Sequence, residues 1–409
     1  MEIKVEPKTI EIKVEQEAME RKIHLDIPEA TVKKTKEEEE QPLSPAARVF
    51  HAPEFNCYVI TVIGVKKKIE PDVVIEGLKQ TLIRHPRFSN TSKPLWELHL
   101  LDLKTSDAEN VAVLKFHHSL GDGMSLMALV LACMRKTLNP DELPTLPYQN
   151  RSSSGSSRLT GGSRSGFRFL WLFMVLWSMI MLVLNTICDA LRFIATAMFL
   201  KDTKTPIKGD YRLSKPKRMS LVHLTVSLDD IKLIKTTMKM DLADMMDKGS
   251  KCRWGNMIGY IVFPFSIGLR KDPLEHLGTA KRIIDRKKNS LEAALTFIGG
   301  KFMIKAFGVK VTANLLNRVL SNTTMSFSNL IGPIEEISFF GHPITFMAPS
   351  VYGHPHALTM HFQSYMNKMT VSLTVDPMVI SNPHQLLDDW EESLRNIKTA
   401  VQERGSTYQ

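Results

Sequence analysis

Between Phe169 and Cys188 the chain runs for twenty residues without a charged side chain, with Trp171, Phe173 and Trp177 near its start. A helix of that length rises about 30 Å, the thickness of a bilayer's hydrocarbon core. Such a helix has to be covered, either by lipid or by the rest of the protein. Arg164 and Arg168 precede it and Arg192, Lys201 and Lys204 follow it, so flanking charge assigns no orientation. Asp189 and the amphipathic stretch 190–200 come next, which points to a re-entrant or interfacial hairpin bent at Asp189. A single full crossing of the bilayer and a buried helix of a soluble domain are the alternatives.

Charge reinforces the membrane expectation. The chain carries +10 overall, and between Arg151 and Arg218 there are twelve Lys/Arg against three Asp. Basic residues beside an apolar run suit an anionic lipid surface, and also a phosphate-bearing cosubstrate. No finger, helix-turn-helix or aromatic stacking motif accompanies the charge, so nucleic acid is not an expected partner. Cys57, Cys133, Cys188 and Cys252 form no metal or disulfide spacing and imply a reducing compartment. The N-terminus has no apolar h-region of a secretory signal.

The chemistry is expected at His117-His118-Ser119-Leu120-Gly121-Asp122-Gly123. Val111 to Phe116 upstream has the content of a buried strand, and Met124 to Met134 downstream reads as an apolar helix, so the motif occupies a strand-to-helix turn. A neutral imidazole is the side chain best suited to take a proton from a hydroxyl near pH 7. Turn histidines with Asp122 as a helix N-cap would give a similar pattern. At ordinary residue frequencies, however, His-His-x-x-x-Asp-Gly arises by chance in roughly one chain of this length per thousand.

His117, His118, Asp122 and Gly123 resemble the motif of the coenzyme A-dependent acyltransferase superfamily. Pro42-Leu43-Ser44-Pro45, Pro94-Leu95-Trp96-Glu97-Leu98 and Ser328-Asn329-Leu330-Ile331-Gly332-Pro333 narrow the resemblance to the plant bifunctional wax ester synthase/diacylglycerol acyltransferase family, over residues 42 to about 400. The Asp-Phe-Gly-Trp-Gly signature of the soluble plant acyltransferases is absent. The resemblance implies an α/β fold, a two-lobed acyltransferase-like sandwich with a membrane-associated apolar segment. It also implies transfer of a long-chain acyl group from acyl-CoA, as cosubstrate and without a cofactor, to a fatty alcohol or diacylglycerol. In that scheme His118 is the general base, His117 supports it, Asp122 and Gly123 shape the loop, and Ser328 or Asn329 donates near a developing oxyanion. An endoplasmic reticulum membrane, with the plasma membrane as the alternative and the active site facing the cytosol, is the expected location.

Four segments follow from composition and the resemblance together. Residues 1–41 are a charged, solvated tail repeating Glu-Ile-Lys-Val-Glu at 2–6 and 11–15; 42–150 form an N-terminal lobe; 151–218 are a basic linker holding the apolar run 169–188; 219–409 form a C-terminal lobe. Local pattern predicts strands at 57–64, 96–103, 220–226, 325–329, 358–365 and 369–375, and a strand entered through Trp254-Gly255-Asn256. It predicts helices at 71–84, 229–240 with Ser227 as N-cap, 273–285, 290–307 and 383–401. His354, His356 and His361 have a metal-like spacing, but no Cys or carboxylate joins them, so no metal is expected.

In two places the chain is shorter than the resemblance implies. It passes from Pro86 to Pro94 in eight residues, and it lacks an Asn-Asp-Val-Val segment after Met238-Lys239-Met240-Asp241-Leu242. The competing expectation is therefore a catalytically impaired shortened form that binds a membrane or a partner.

Overall fold

The computed structural model describes residues 2–6, 9–13, 43–84, 88, 95–145, 165–209, 218–238, 254–265, 267–268 and 270–406. His85 to Arg87, Ser89 to Ser92, the linker 151–164, Lys239 to Leu242 and Cys252 lie outside the described residues. The chain forms strands β1 (Glu2–Glu6) and β2 (Thr9–Lys13), helix α1 (Pro45–Val49), β3 (Tyr58–Val65), α2 (Pro71–Gln80), β4 (Trp96–Leu101), β5 (Asn110–His117), α3 (Gly123–Ala132), β6 (Met134–Lys136) and α4 (Ser165–Met198). It continues with β7 (Ser220–Ser227), α5 (Leu228–Thr237), α6 (Pro273–Lys288), α7 (Glu292–Asn322), β8 (Ser326–Ile331), β9 (Ile337–Phe339), β10 (His342–Tyr352), β11 (Leu358–Tyr365), β12 (Lys368–Val375) and α8 (Pro383–Ser406).

The strands make two six-stranded sheets, ordered β4-β5-β3-β10-β9-β6 and β1-β2-β7-β12-β11-β8. All pairs are antiparallel except β8 with β11. Two lobes of α/β structure result, as the resemblance implies. The lobes exchange chain: β9 and β10, from the second half of the sequence, complete the first sheet. Residues Val74, Leu78, Leu126 and Val130 of α2 and α3 pack on one face of that sheet with Ile63, Leu114 and Met347. On its other face Val62, Val113 and Phe346 meet Leu221 of the second sheet. Coverage on both faces explains why Val111 to Leu114 of β5 are apolar in succession instead of alternating. The second sheet buries Val222, Val371 and Leu373 beneath Leu387 of α8.

Most of the predicted elements are present within a few residues. Ser227 caps α5, accepting from the Asp229 N–H. The hairpin β11–β12 turns through Met366-Asn367, with Met366 at φ 53. Three expectations are corrected. Residues 2–6 and 9–13 are not structureless: they pair with each other, and β2 joins β7. Their alternation of charged and apolar residues has the two-residue period of a strand edge. The segment from Trp254 to Phe265 is not a strand. Its amides are taken by side chains, the Tyr260 N–H by Thr296 Oγ1 at 2.9 Å and the Val262 N–H by Glu292 Oε1 at 3.0 Å.

The third correction concerns the apolar run, which is one 34-residue helix with no bend at Asp189. Asp189 stays in the helix because its charge is met there: Arg286 Nη2 and Lys287 Nζ donate to Oδ1 at 2.6 and 2.9 Å. Lys287 also reaches Glu292 Oε2 at 2.6 Å, and Asp189, Lys287 and Glu292 are all buried. Residues Trp171–Met198 are the one helix among the described residues long and apolar enough to cross a membrane. Its apolar side chains are open on all sides through the first turns, Trp171, Phe173 and Trp177 each being more than half exposed.

Helix α7 is kinked at Gly308, where φ is 81°. Its start is tied to α4 by the Leu291 N–H on Thr186 Oγ1, and its end by Asn322 Nδ2 on the Thr196 carbonyl. Those two points on α4 are only about 15 Å apart by helical rise. A straight helix of 31 residues would span about 45 Å. The two arms of α7 therefore fold back on each other, with the elbow at Gly308.

Candidate active site

Strand β5 ends at His117, one turn of 3-10 helix carries His118 to Leu120, and α3 starts at Gly123. Asp122 caps α3, its Oδ1 accepting from the Ser125 N–H at 2.9 Å. Gly121 is needed for space: a Cβ there would lie 2.9 Å from Ser125 Cβ. At Gly123 a Cβ would meet Leu330 Cδ2 of β8 at 3.2 Å, so the second sheet's edge closes on this loop.

The loop is bonded along its length to residues 254–257. Trp254 Nε1 donates to the Leu120 carbonyl at 3.1 Å, the Asp122 N–H to the Gly255 carbonyl at 3.0 Å, and the Met257 N–H to Asp122 Oδ2 at 3.0 Å. Ser125 Oγ donates to the Gly255 carbonyl and accepts from the Gly255 N–H, both at 3.2 Å. Both carboxylate oxygens of Asp122 are thus occupied by backbone amides. Its role here is to fasten the loop to the second half of the chain.

His118 is buried. Its Nδ1 donates to Asn256 Oδ1 at 3.2 Å, and Asn256 Nδ2 is held by the Ser119 carbonyl at 3.4 Å. Phe50 lies flat on the imidazole, with ring centroids 4.2 Å apart and planes 6° off parallel. These contacts fix the tautomer with the proton on Nδ1 and leave Nε2 with no hydrogen bond to another described residue. Burial lowers the His118 pKa below the ordinary 6.5, so the ring is neutral and basic near pH 7. Neither Asn256 nor Phe50 was singled out by the sequence, since each lies far from the motif in the chain.

His117 is occupied at both nitrogens. The Ser119 N–H donates to Nδ1 at 3.2 Å and Nε2 donates to Asn56 Oδ1 at 3.0 Å. His51 stacks on it at 4.2 Å and Tyr58 meets it edge-on at 5.0 Å. Burial first, then neighbouring His51, lowers its pKa to about 4. Ser328 and Asn329 lie on β8 and are exposed. Strand alternation puts Ser328, and not Asn329, on the same side as Leu330, which touches the loop at Gly123. His356 Nε2 bonds Thr323 Oγ1 at 2.8 Å, and burial holds His354 well below the ordinary histidine range. Among the described residues no group of three or more His, Cys, Asp or Glu converges as a metal site.

An apolar cavity of about 430 Å³ lies between α4 and the two arms of α7. Phe50 and Asn256, the two side chains in contact with His118, form part of its wall.

The chain thus combines two lobes on mostly antiparallel sheets with a buried imidazole on a strand-to-helix loop between them. The same fold occurs in the wax ester synthase/diacylglycerol acyltransferase from Marinobacter aquaeolei VT8, with a TM-score of 0.52 at 14% identity over 88% of this chain and 99% of that one. Residues 85–246 match the wax ester synthase/diacylglycerol acyltransferase catalytic domain, and residues 254–398 match the WS/DGAT C-terminal domain. The chain belongs to the wax ester synthase/diacylglycerol acyltransferase family. Wax ester synthase/diacylglycerol acyltransferase 6 of Arabidopsis thaliana is 62% identical over an alignment covering 94% of this chain and 99% of that protein. Acyltransferase 5 of the same series and organism is 59% identical, over 93% and 98%. The first of these alignments spans 511 positions against 409 residues here, so that relative has stretches without counterpart in this chain.

Proposed function

We propose that this acyltransferase moves a long-chain acyl group from acyl-CoA to the hydroxyl of a long-chain alcohol or diacylglycerol, with His118 as general base. The observation that carries the proposal is the tether of the imidazole: Nδ1 is spent on Asn256, and Nε2 has no hydrogen-bond partner among the described residues. Nε2 takes the acceptor's proton as its oxygen attacks the thioester carbonyl carbon. The tetrahedral intermediate collapses with cleavage of the carbon–sulfur bond, and the departing coenzyme A thiolate takes the proton back from the imidazolium. No acyl-enzyme is needed. Ser328, on the loop-facing side of β8, is the better placed of the two oxyanion candidates to donate to the intermediate.

The names of the Arabidopsis relatives support both acceptor classes. The exposed apolar surface of α4 supports a membrane-associated enzyme, and we assign it to the endoplasmic reticulum with the site facing the cytosol. Membranes from cells expressing the chain, given labelled palmitoyl-CoA with hexadecanol or dioleoylglycerol, test this. Labelled wax ester or triacylglycerol above the empty-vector level is expected. A folded, membrane-bound chain that forms neither product would instead support the non-catalytic shortened form.

A further inference from the structure

We propose that the hydroxyl acceptor reaches His118 sideways from the bilayer, through the cavity between α4 and α7, while acyl-CoA approaches from elsewhere. This rests on the acyltransferase reading above and adds the route and the substrate that uses it.

Three observations carry the inference. The cavity is walled at one end by Phe50 and Asn256, the side chains that stack on and hydrogen-bond to His118, so whatever fills it lies one side chain away from the imidazole. Its outer wall is the face of α4 at Ala190, Phe193, Ile194 and Ala197, a spacing of three and four residues that puts all four on one side of the helix. The same helix exposes apolar side chains on its other sides, so the wall of the cavity is also the surface that needs lipid cover.

The second observation is the α7 elbow. Phe302, Phe307 and Val311 are 63%, 57% and 48% exposed around the kink at Gly308, and Lys301, Lys305 and Lys310 are interspersed among them. Exposed aromatics beside lysines are the composition of a segment resting at a membrane interface, where the ammonium groups reach the headgroups. Ile194, Met198 and Phe302 line the cavity and are more than half exposed, so its rim is continuous with this apolar surface. A rim of that kind opens into hydrocarbon instead of water.

Third, solubility separates the two substrates. Acyl-CoA carries a polyanionic nucleotide that cannot enter hydrocarbon, whereas a long-chain alcohol or diacylglycerol is dissolved there with a single hydroxyl. The apolar route therefore suits the acceptor. The Asp189–Lys287–Glu292 cluster fixes the register of α4 just before this wall begins, and Glu292 itself borders the cavity.

The test places bulk in the route at two depths. Ile194→Trp narrows the exposed rim, where packing is not disturbed, and Ala197→Trp fills the buried wall. Each full-length variant is assayed in membranes with palmitoyl-CoA and either hexadecanol or butanol, and the hexadecanol-to-butanol rate ratio is compared with that of the unaltered chain. A fall in the ratio of about tenfold or more in either variant is expected, because butanol needs little of the apolar path. A ratio within about twofold of the original in both variants would overturn the proposal. So would a change confined to the acyl-CoA chain-length preference, which would give the cavity to the donor. If the unaltered chain forms no His118-dependent ester with either alcohol, the acyltransferase reading itself fails, a result distinct from both.

Discussion

Nδ1 of His118 donates to Oδ1 of Asn256 across 3.2 Å, joining residues 138 positions apart. One hydrogen bond thus sets the tautomer of the base and ties the motif of the first half of the chain to an irregular segment of the second. Asn256→Leu removes the acceptor at little change in volume. We expect kcat to fall about tenfold to a hundredfold, the range seen when an imidazole loses the partner that orients it, with KM for acyl-CoA nearly unchanged. A variant with wild-type kcat would show that the tautomer is set by something else.

The pH profile follows from burial of the same ring. Burial holds the His118 pKa below 6.5, and a general base works only when neutral, so the acid-side loss of rate is displaced to lower pH than an ordinary imidazole would give. The acid-side half-maximal point of kcat/KM against pH is expected below 6.5. A half-maximal point at or above 6.5 would contradict the buried, neutral base.

Asp122 is a fastening residue, with one oxygen on the Ser125 N–H and the other on the Met257 N–H. Asp122→Ala leaves both amides without their acceptor and is expected to lower stability by about 1–3 kcal/mol, read as a lower unfolding midpoint, together with loss of activity. Loss of activity with no change in unfolding would assign Asp122 to the proton transfer instead.

Asp189 is the test of how α4 is seated. With Asp189→Ala, Arg286 loses its partner and buried Lys287 keeps only Glu292. Breaking a buried ionic cluster from one side is expected to cost about 3–5 kcal/mol. Unfolding in detergent measures it, and a midpoint equal to that of the unaltered chain would mean that α4 is held by its apolar contacts alone.

What the sequence made legible was local. The His loop, the β11–β12 hairpin and the amphipathic α8 are each defined by residues within a few positions of one another, and each is present where pattern placed it. The alternation at 2–13 has the two-residue period of a strand, but its density of charge reads as a solvated tail. What escaped depends on partners far away in the chain. Asp189 looked like a helix breaker because Arg286 and Lys287, its counter-charges, are 97 and 98 residues distant. Residues 254–265 looked like a strand because nothing local shows that Asp122, Glu292 and Thr296 take their amides. Asn256 reads from the sequence as part of a Gly-Asn turn, and nothing local links it to His118.

The central claim is that His118 is the base of an acyl transfer. Its most direct test is ester formation from labelled palmitoyl-CoA by membranes holding equal amounts of the unaltered chain and of His118→Ala. The account predicts wax ester or triacylglycerol from the former, and in the variant a loss of about a hundredfold or more with unfolding behaviour retained. Equal product from the two chains would place the chemistry elsewhere.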